Sequence, residues 1–348
     1  MRFYTQTHKH HCGIDLHARS MYLCILDAQG KILLHRNYKA TPEAFLGAIA
    51  PYRDDLVVAV ECIFTWYWLA DLCADEGIAF VLGHALYMKA IHGGKAKNDR
   101  IDARKIALLL RGGMLPQAYV YPKAMRATRD LLRRRNHLMR KRADLLAHIQ
   151  NTASQYNLPP LGQRVDRKGE RAAIPAHFPD PVVRRSVELD LALIAHYDTL
   201  LKTLEQELAL MAKTHDAFAY HLLRSVPGVG RILTLVLLYE IDDIHRFPRV
   251  QEFLSYARLV KAQKSSAGKV YGHSGKKIGN AHLKWAFSEA AVLFLRGNSE
   301  GQRYVERLAK KHGKGKALSI LAARLGRAVY VMLQRREPFD PAKFLAHA

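Results

Sequence analysis

Apolar residues in the first third of the chain come in short runs broken by turn signals, a pattern of strands alternating with helices. Gly13–Leu26 is β-prone at both ends, Asp27-Ala28-Gln29-Gly30 supplies a turn, and Lys31–Tyr38 returns as a strand, so a hairpin is expected. Thr41 and Pro42 open a helix running to Ile49, with Thr41 as N-cap and Pro42 at the first helical position. Leu56–Val60 and Ile78–Leu82 are all-apolar runs, the mark of strands buried on both faces. Trp66–Glu76, closed by Gly77, and Asp99–Arg111, closed by Gly112 and Gly113, read as helices.

From Lys123 the period changes. Leu131, Leu138 and Leu145 recur every seven residues beside Leu132, Met139 and Leu146. A second heptad series runs through Val187, Ile194, Leu201 and Leu208. Two long helices are expected, forming an antiparallel hairpin or an intersubunit coiled coil. The segment between them, Leu158–Pro181, is rich in Pro, Gly, Arg and Asp and reads as a mobile linker. Beyond Ala217, helices alternate with glycine turns and a basic loop at Lys261–Asn280. This divides the chain into an α/β domain at 1–122, a coiled-coil region at 123–215 with its linker near 158–181, and a mainly helical domain at 216–348.

Charge narrows the function. The 348 residues carry 54 Lys and Arg against 31 Asp and Glu, a net charge of +23, and so large an excess points to a polyanionic partner. Basic amphipathic segments with a clean apolar face are not apparent, which argues against a membrane surface. The longest apolar runs, such as Ile232–Tyr239, are too short to span a bilayer, and the N-terminus lacks the apolar core of a signal peptide. The cysteines Cys12, Cys24, Cys62 and Cys73 do not have zinc-site spacing, and so few in a long chain suit a reducing compartment. A cytoplasmic, nucleoid-associated bacterial protein is expected. His8, His10, His11 and Cys12 read as a frayed terminus rather than a zinc site.

Four carboxylates have suggestive placements. Asp15 sits in the first strand, and Glu61 directly follows the buried run Leu56–Val60. Asp99 and Asp102 lie three apart where a helix begins, so both project from one face. Taken singly, Asp99 with Asp102 also reads as a helix cap, Asp15 as a turn residue and Glu61 as a surface charge. Together and in this order they have the arrangement of RNase H-like nucleases. Phosphodiester chemistry requires such a cluster, because acidic oxygens hold Mg²⁺, and two ions roughly 4 Å apart stabilise the attacking and leaving oxygens.

The last third offers a second constellation. Val226-Pro227-Gly228-Val229-Gly230 between apolar runs has the form of a helix-hairpin-helix turn, in which Gly228 and Gly230 let backbone N–H groups approach a phosphate. The loop that follows carries Lys264, Lys269, Lys276 and Lys277 as phosphate contacts, and Ser265, Ser266, Tyr271 and Ser274 as hydroxyls. From its residues alone, that loop reads as a flexible DNA-binding segment. Further upstream, Arg133, Arg134, Arg135, Arg140, Lys141 and Arg142 crowd around the leucine seam. With few acids interleaved, that face is expected to need an anionic partner. Tyr4, Tyr119, Tyr121 and Trp285 are candidates for stacking on unpaired bases, or for the core.

Taken together, these motifs make the chain resemble the DEDD-type transposases of insertion-sequence family one-ten, the bridge-RNA-guided serine recombinases. Gly13-Ile14-Asp15, Val60-Glu61 and Lys97–Arg104 match the three acidic motifs, Val226–Gly230 the helix-hairpin-helix segment, and Lys264–Lys269 with Ser274–Asn280 the serine loop. The resemblance implies a RuvC-like RNase H fold, a coiled-coil segment and a C-terminal transposase domain. It implies Mg²⁺ at Asp15, Glu61, Asp99 and Asp102, and Ser266 as the nucleophile of a 5′-phosphoserine link. Donor and target DNA, a noncoding guide RNA and a dimer assembling to a tetramer are the partners it implies. Two positions depart from the family pattern: Cys62-Ile63-Phe64 after Glu61, and Ser265 where glutamate is frequent. The choice between Ser265 and Ser266 as nucleophile rests on the following Ala267-Gly268-Lys269. The main alternative is a metal-dependent nuclease or junction resolvase that uses the same carboxylates with water as nucleophile; a non-enzyme alternative is an architectural RNA- or DNA-binding protein with decayed acids.

Overall fold

The apolar runs of the first third become a five-stranded sheet. The computed structural model describes residues 2–91, 98–274 and 278–345, in two units, Met1–Ala124 and Met125–Ala348. In the first unit, chain order gives β1 (Phe3–Tyr4), β2 (His10–Leu16), β3 (Ser20–Asp27), β4 (Ile32–Lys39), α1 (Pro42–Ile49), β5 (Leu56–Glu61), α2 (Tyr67–Asp75), β6 (Ala79–Gly83), α3 (Ala85–Ile91), α4 (Asp99–Arg111) and β7 (Leu115–Pro116). The sheet order is β4-β3-β2-β5-β6, with β1 paired to β7 separately. Strands β2, β3 and β4 run antiparallel, whereas β5 lies parallel to both β2 and β6.

Strand alternation sends side chains to two layers. Cys12, Ile14, Leu16, Val58 and Val60 pack with Phe45 and Ile49 of α1 and with Leu69 and Cys73 of α2. On the opposite face, Val57 and Ala59 meet Ile106, Leu109 and Leu110 of α4, while Cys24 and Leu26 meet Ala103 and Ala107. The expected Thr41 cap is present, its hydroxyl accepting from the Ala44 N–H. Gly30 takes φ +89° in the β3–β4 turn.

Two expectations for this unit need correction. Gly13–Leu26 is not one strand with two β-prone ends but two strands joined by His17-Ala18-Arg19, closed by the His17 N–H donating to the Ser20 carbonyl at 2.8 Å. That turn has no Gly or Pro to announce it. The histidine-rich start is also not frayed. His10 begins β2, His11 is buried, and Tyr4 Oη, His8 and Asp55 form a chain of two 2.6 Å contacts. Lys9 donates its backbone N–H to the Asp55 carboxylate, which helps to hold the segment.

His11 has a consequence for stability. It is 3% exposed and its Nδ1 has no hydrogen-bond partner. Burial, with His8 and Arg111 nearby, pushes its pKa down to about 4 from an ordinary 6.5. Below 6.5 the unfolded chain therefore binds a proton that the native chain does not, and stability falls until the pH reaches about 4. Denaturation midpoints measured between these pH values should fall with acidification, and His11→Leu should flatten part of that slope. His84, whose pKa burial also lowers, accounts for a further part.

The second unit is helical: α5 (Lys123–Gln155), α6 (Pro181–Arg224), α7 (Arg231–Ile241), α8 (Val250–Tyr256), the strands β8 (Ala262–Ser266) and β9 (Lys269–Ser274), then α9 (Ala281–Phe294), α10 (Ser299–His312), α11 (Lys314–Arg335) and α12 (Pro341–Leu345). Asp180 caps α6 as its carboxylate accepts from the Val182 and Val183 N–H groups. The long helices α5 and α6 run antiparallel: Arg135 pairs with Glu205, Arg142 with Asp198, and His148 with Asp190. Leu146, Ile149, Val187 and Ile194 share one apolar core. α6 bends at Asp216 (φ −154°, ψ 88°), whose carboxylate accepts from the Ala219 N–H as a new cap would.

The 158–181 segment, expected to be a mobile linker, is instead packed. Its short 3₁₀ turns bury Leu161, Val165, Ile174 and Phe178 in the α5–α6 core. Arg171 ties it down by donating to the Val165 and Asp166 carbonyls and to Asp198. The composition suggested a linker, but four apolar residues were enough to fold it. Nor is the serine loop irregular: β8 and β9 form an antiparallel hairpin with Ser266 opposite Lys269. The bilayer expectation also changes, because α11 is long and apolar enough to span. It buries Ala317, Leu321, Leu325, Val329 and Met332 within the unit, as a core helix does.

Candidate active site

Strand register decides where the first two carboxylates meet. Ile14 pairs with Val60, so Asp15 and Glu61 each stand one residue further along two parallel neighbours. Asp15 shares its parity with Gly13, and Glu61 shares its parity with Val57 and Ala59, so both belong to the face covered by α4. That close cover depends on Gly13. A Cβ there would lie 2.3 Å from the Ala107 nitrogen and 2.4 Å from the Ala103 oxygen, both backbone atoms of α4. Gly13→Ala must therefore push the helix off the strand. We expect a loss of about 3 kcal/mol or more in chemical denaturation, together with loss of activity.

The start of α4 delivers the second pair. Asn98 is its N-cap, with its side-chain oxygen accepting from the Ile101 N–H at 2.8 Å. The capping role that the sequence offered to Asp99 and Asp102 is thus filled by their neighbour. Asp99 reaches the β2 end: the ligand atoms of Asp15, His17 and Asp99 all lie within 4.8 Å of one another. His17 Nε2 is 3.5 Å from Asp15 Oδ2 and 3.5 Å from Asp99 Oδ1. Asp102, one turn on, pairs with Lys105 at 3.4 Å, and it and Glu61 stand outside that close group. Asp15 is mostly covered and Asp99 half exposed, so the face opens to solvent on the α4 side. His17 was missed from the sequence, although Asp-x-His along a strand end places two side chains on one face.

In the second unit, Ser266 is exposed at the tip of the β8–β9 hairpin. Ala267 (φ 48°) and Gly268 (φ 76°) form the two-residue turn, both in the left-handed region that such turns require. Ser265 is exposed beside it, and Lys269 follows the turn. Lys276 and Lys277 lie outside the described residues. Beyond them Asn280 caps α9, its side-chain oxygen accepting from the His282 and Leu283 N–H groups. Its amide donates to the buried Glu240 at 2.7 Å. The sequence reading overlooked both Asn280 and Glu240.

The basic tract is arranged otherwise than charge counting suggested. Arg133 pairs with Glu240, Arg135 with Glu205 and Arg142 with Asp198, so their anions come from α6 and α7 rather than from outside. Arg171 shares Asp198, and together with Arg142 it outweighs the effect of burial and holds that carboxyl below its usual range. Arg134, Arg140 and Lys141 remain on the exposed face of α5, with Lys141 3.6 Å from Asp144. The Val226–Gly230 turn joins α6 to α7. Gly228 takes φ +83° and sits so close to α9 that a Cβ would lie 2.5 Å from the Phe294 nitrogen. Gly230 is the N-cap of α7. A shallow cavity of about 410 Å³ lies over this turn, bordered by Arg224 and Arg296. Tyr121 is buried, whereas Trp285 is partly exposed.

Comparison with known proteins bears on both halves. Residues 12–158 match the DEDD transposase model of the IS110 type, and residues 220–306 match the IS116/IS110/IS902 transposase family. The chain belongs to the IS110 family of transposases. Along 335 residues it is 24% identical to the transposase of insertion sequence element IS1111A from Coxiella burnetii, covering 94% of this chain and 90% of that protein. A 43.6 kDa uncharacterized protein of insertion element IS110 from Streptomyces coelicolor is 29% identical over 150 residues, which is 42% of this chain and 36% of that protein. The first matched span of this IS110-family chain holds Asp15, Glu61, Asp99 and Asp102, and the second holds the 226–230 turn, Ser266 and Asn280. Family membership makes DNA cleavage and rejoining the activity, and DNA the partner.

Proposed function

We propose that this transposase cuts and rejoins DNA through a covalent 5′-phosphoserine intermediate on Ser266, with a divalent ion at the acidic face of the first unit, and that a noncoding RNA selects donor and target. The observation that carries the reading is the register-neighbouring pair Asp15 and Glu61 on the face that α4 covers, with Asp99 brought within 4.8 Å of Asp15. An antiparallel trio extended from its β2 side by two parallel strands is the sheet of an RNase H-like, RuvC-like domain, and we assign that fold to the unit.

The donor set suits Mg²⁺. The chain offers carboxylate oxygens, the donors Mg²⁺ favours, and those of Asp15 and Asp99 come within 4.8 Å of each other. Asp15, Glu61, Asp99 and Asp102 would hold it. When bound, such an ion supplies positive charge where the phosphate and the leaving oxygen develop negative charge. The remaining roles fall to the chain. Ser266, presented on a tight turn, attacks phosphorus with its Oγ; the Oγ–P bond forms, the P–O3′ bond breaks, and the serine proton passes to the 3′ oxygen. Lys269, Gly228, Gly230 and the exposed Arg134, Arg140 and Lys141 hold the phosphate backbone without reading sequence. We further propose that the second domain's turn works as a helix-hairpin-helix, and that a tetramer built from dimers supplies the acidic face and the serine hairpin from different subunits.

The test is a covalent-adduct assay with the full chain, element-derived RNA, Mg²⁺ and labelled donor and target DNA. A protein–DNA adduct on a denaturing gel should vanish with Ser266→Ala and persist with Ser265→Ala and Tyr271→Phe. Strand cleavage without an adduct, undisturbed by Ser266→Ala, would instead establish water as the nucleophile and a resolvase-like reaction.

A further inference from the structure

We infer that His17 is a nitrogen ligand of the ion bound at the acidic face, and that it makes the site bind Mn²⁺ in preference to Mg²⁺. The inference rests on the metal reading proposed above and adds a residue and a preference to it.

The geometry sets His17 apart from two other histidine–carboxylate pairs among the described residues. His8 closes on Asp55 to 2.6 Å, and His148 on Asp190 to 2.5 Å, both within direct hydrogen-bond reach. His17 Nε2 stands back at 3.5 Å, and does so from two carboxylates at once, Asp15 Oδ2 and Asp99 Oδ1. A hydrogen bond gains little at that length. Neighbouring corners of a coordination polyhedron do lie so far apart: bonds of about 2.1 Å put adjacent ligand atoms about 3 Å apart and opposite ones about 4 Å. The two 3.5 Å separations from His17 Nε2 fall in that range, and the ligand atoms of all three residues lie within 4.8 Å of one another.

The backbone explains how the ring arrives there. Asp15 lies in β2, and His17 stands just past its end in the β2–β3 turn, where its ring meets both Asp15 and Asp99 at the start of α4. The His17 N–H holds the turn by donating to the Ser20 carbonyl, which fixes the backbone and leaves the half-exposed ring to choose its partner. The chemistry then follows from donor type. Mg²⁺ favours oxygen donors and keeps much of its water, whereas imidazole suits the later divalent metals. Mn²⁺ accepts carboxylates and imidazole alike. A carboxylate pair completed by a ring nitrogen therefore gains more with Mn²⁺ than with Mg²⁺.

The experiment is a Mn²⁺ titration of the full-length protein, free of DNA, followed by electron paramagnetic resonance with detection of ¹⁴N coupling. Mg²⁺ affinity is read by competition. Bound Mn²⁺ is expected to show one directly coordinated imidazole nitrogen in the wild type. His17→Ala should remove that coupling, weaken Mn²⁺ binding about tenfold or more, and change Mg²⁺ affinity by less than about twofold. His17 lies in a surface turn, and unchanged circular dichroism would confirm that the variant folds. Asp15→Asn should release the ion altogether. Stoichiometric Mn²⁺ without nitrogen coupling, or a coupling that survives His17→Ala, would overturn the role of His17 while leaving the carboxylate site standing. If the wild type fails to bind Mn²⁺ stoichiometrically, the metal reading fails and this inference with it.

Discussion

Glu240→Ala is expected to destabilise the second unit by about 3 to 5 kcal/mol, the range seen when one member of a buried ion pair is removed. Glu240 is 1% exposed. Its carboxylate accepts from Arg129 Nη2 at 2.8 Å, Arg133 Nε at 2.7 Å and Asn280 Nδ2 at 2.7 Å. Truncation would leave two guanidinium groups and a buried amide without the anion they converge on. Arg129 is itself 9% exposed and so is badly placed to turn to water. Removing Glu240 together with Arg129, the more buried of its two arginines, should cost far less, because buried ion pairs replaced by apolar groups are often neutral and Arg133 can turn to water. Urea denaturation of Glu240→Ala, and of Glu240→Leu combined with Arg129→Leu, separates these cases. An equal loss in both would mean that packing, not charge, holds the site.

The same network carries a pH dependence. Burial raises the Glu240 pKa, but Arg133, Arg129 and Asn280 outweigh it and hold the group below its ordinary 4.5. Its stabilisation is therefore complete above 4.5 and is lost as the pH falls through the lower native value. There is also a functional cost. Asn280 anchors the start of α9 just beyond the serine hairpin, and its backbone N–H donates to the Tyr256 carbonyl at 2.6 Å. Loss of Glu240 loosens that anchor as well as the core.

Local rules carried the sequence reading furthest where structure is local. The Thr41 cap, the glycine stops at Gly77 and Gly112, and the Leu56–Val60 and Ile78–Leu82 strands all depend on neighbours within a few residues, and all formed within a residue or two of expectation. Distant pairing was hidden. The acids that neutralise Arg142, Arg135 and Arg129 lie 56, 70 and 111 residues away, so counting charges along one helix could not reveal them. The β8–β9 hairpin was hidden for another reason: its residues are largely polar and exposed, which erases the in–out alternation that marks a half-buried strand. In the acidic face, Asp15 and Glu61 showed because buried apolar strands lead up to them. Asn98 was obscured by the two aspartates that follow it, and His17 by the absence of any turn signal around it.

Asp15→Asn and Glu61→Gln are each expected to reduce strand cleavage and adduct formation on the order of 10³-fold or more, while leaving folding and DNA binding intact. The size follows from the several kcal/mol of charge stabilisation that a held ion gives a phosphoryl transition state, at about 1.4 kcal/mol per factor of ten. The selectivity follows from position. Both side chains lie at strand ends outside the apolar layers, both substitutions preserve shape, and neither removes a cationic contact to phosphate. Melting temperature and filter binding should therefore match the wild type, unlike Gly13→Ala, which disturbs helix and site together. Asp102→Asn separates two versions of the site. Asp102 lies one turn along α4 and pairs with Lys105, so a loss as large as that of Asp15→Asn would show that four carboxylates act as one set. A small loss would confine the essential group to Asp15, Glu61 and Asp99. Wild-type cleavage by Asp15→Asn would remove the acidic face from the chemistry and leave the serine hairpin to act without it.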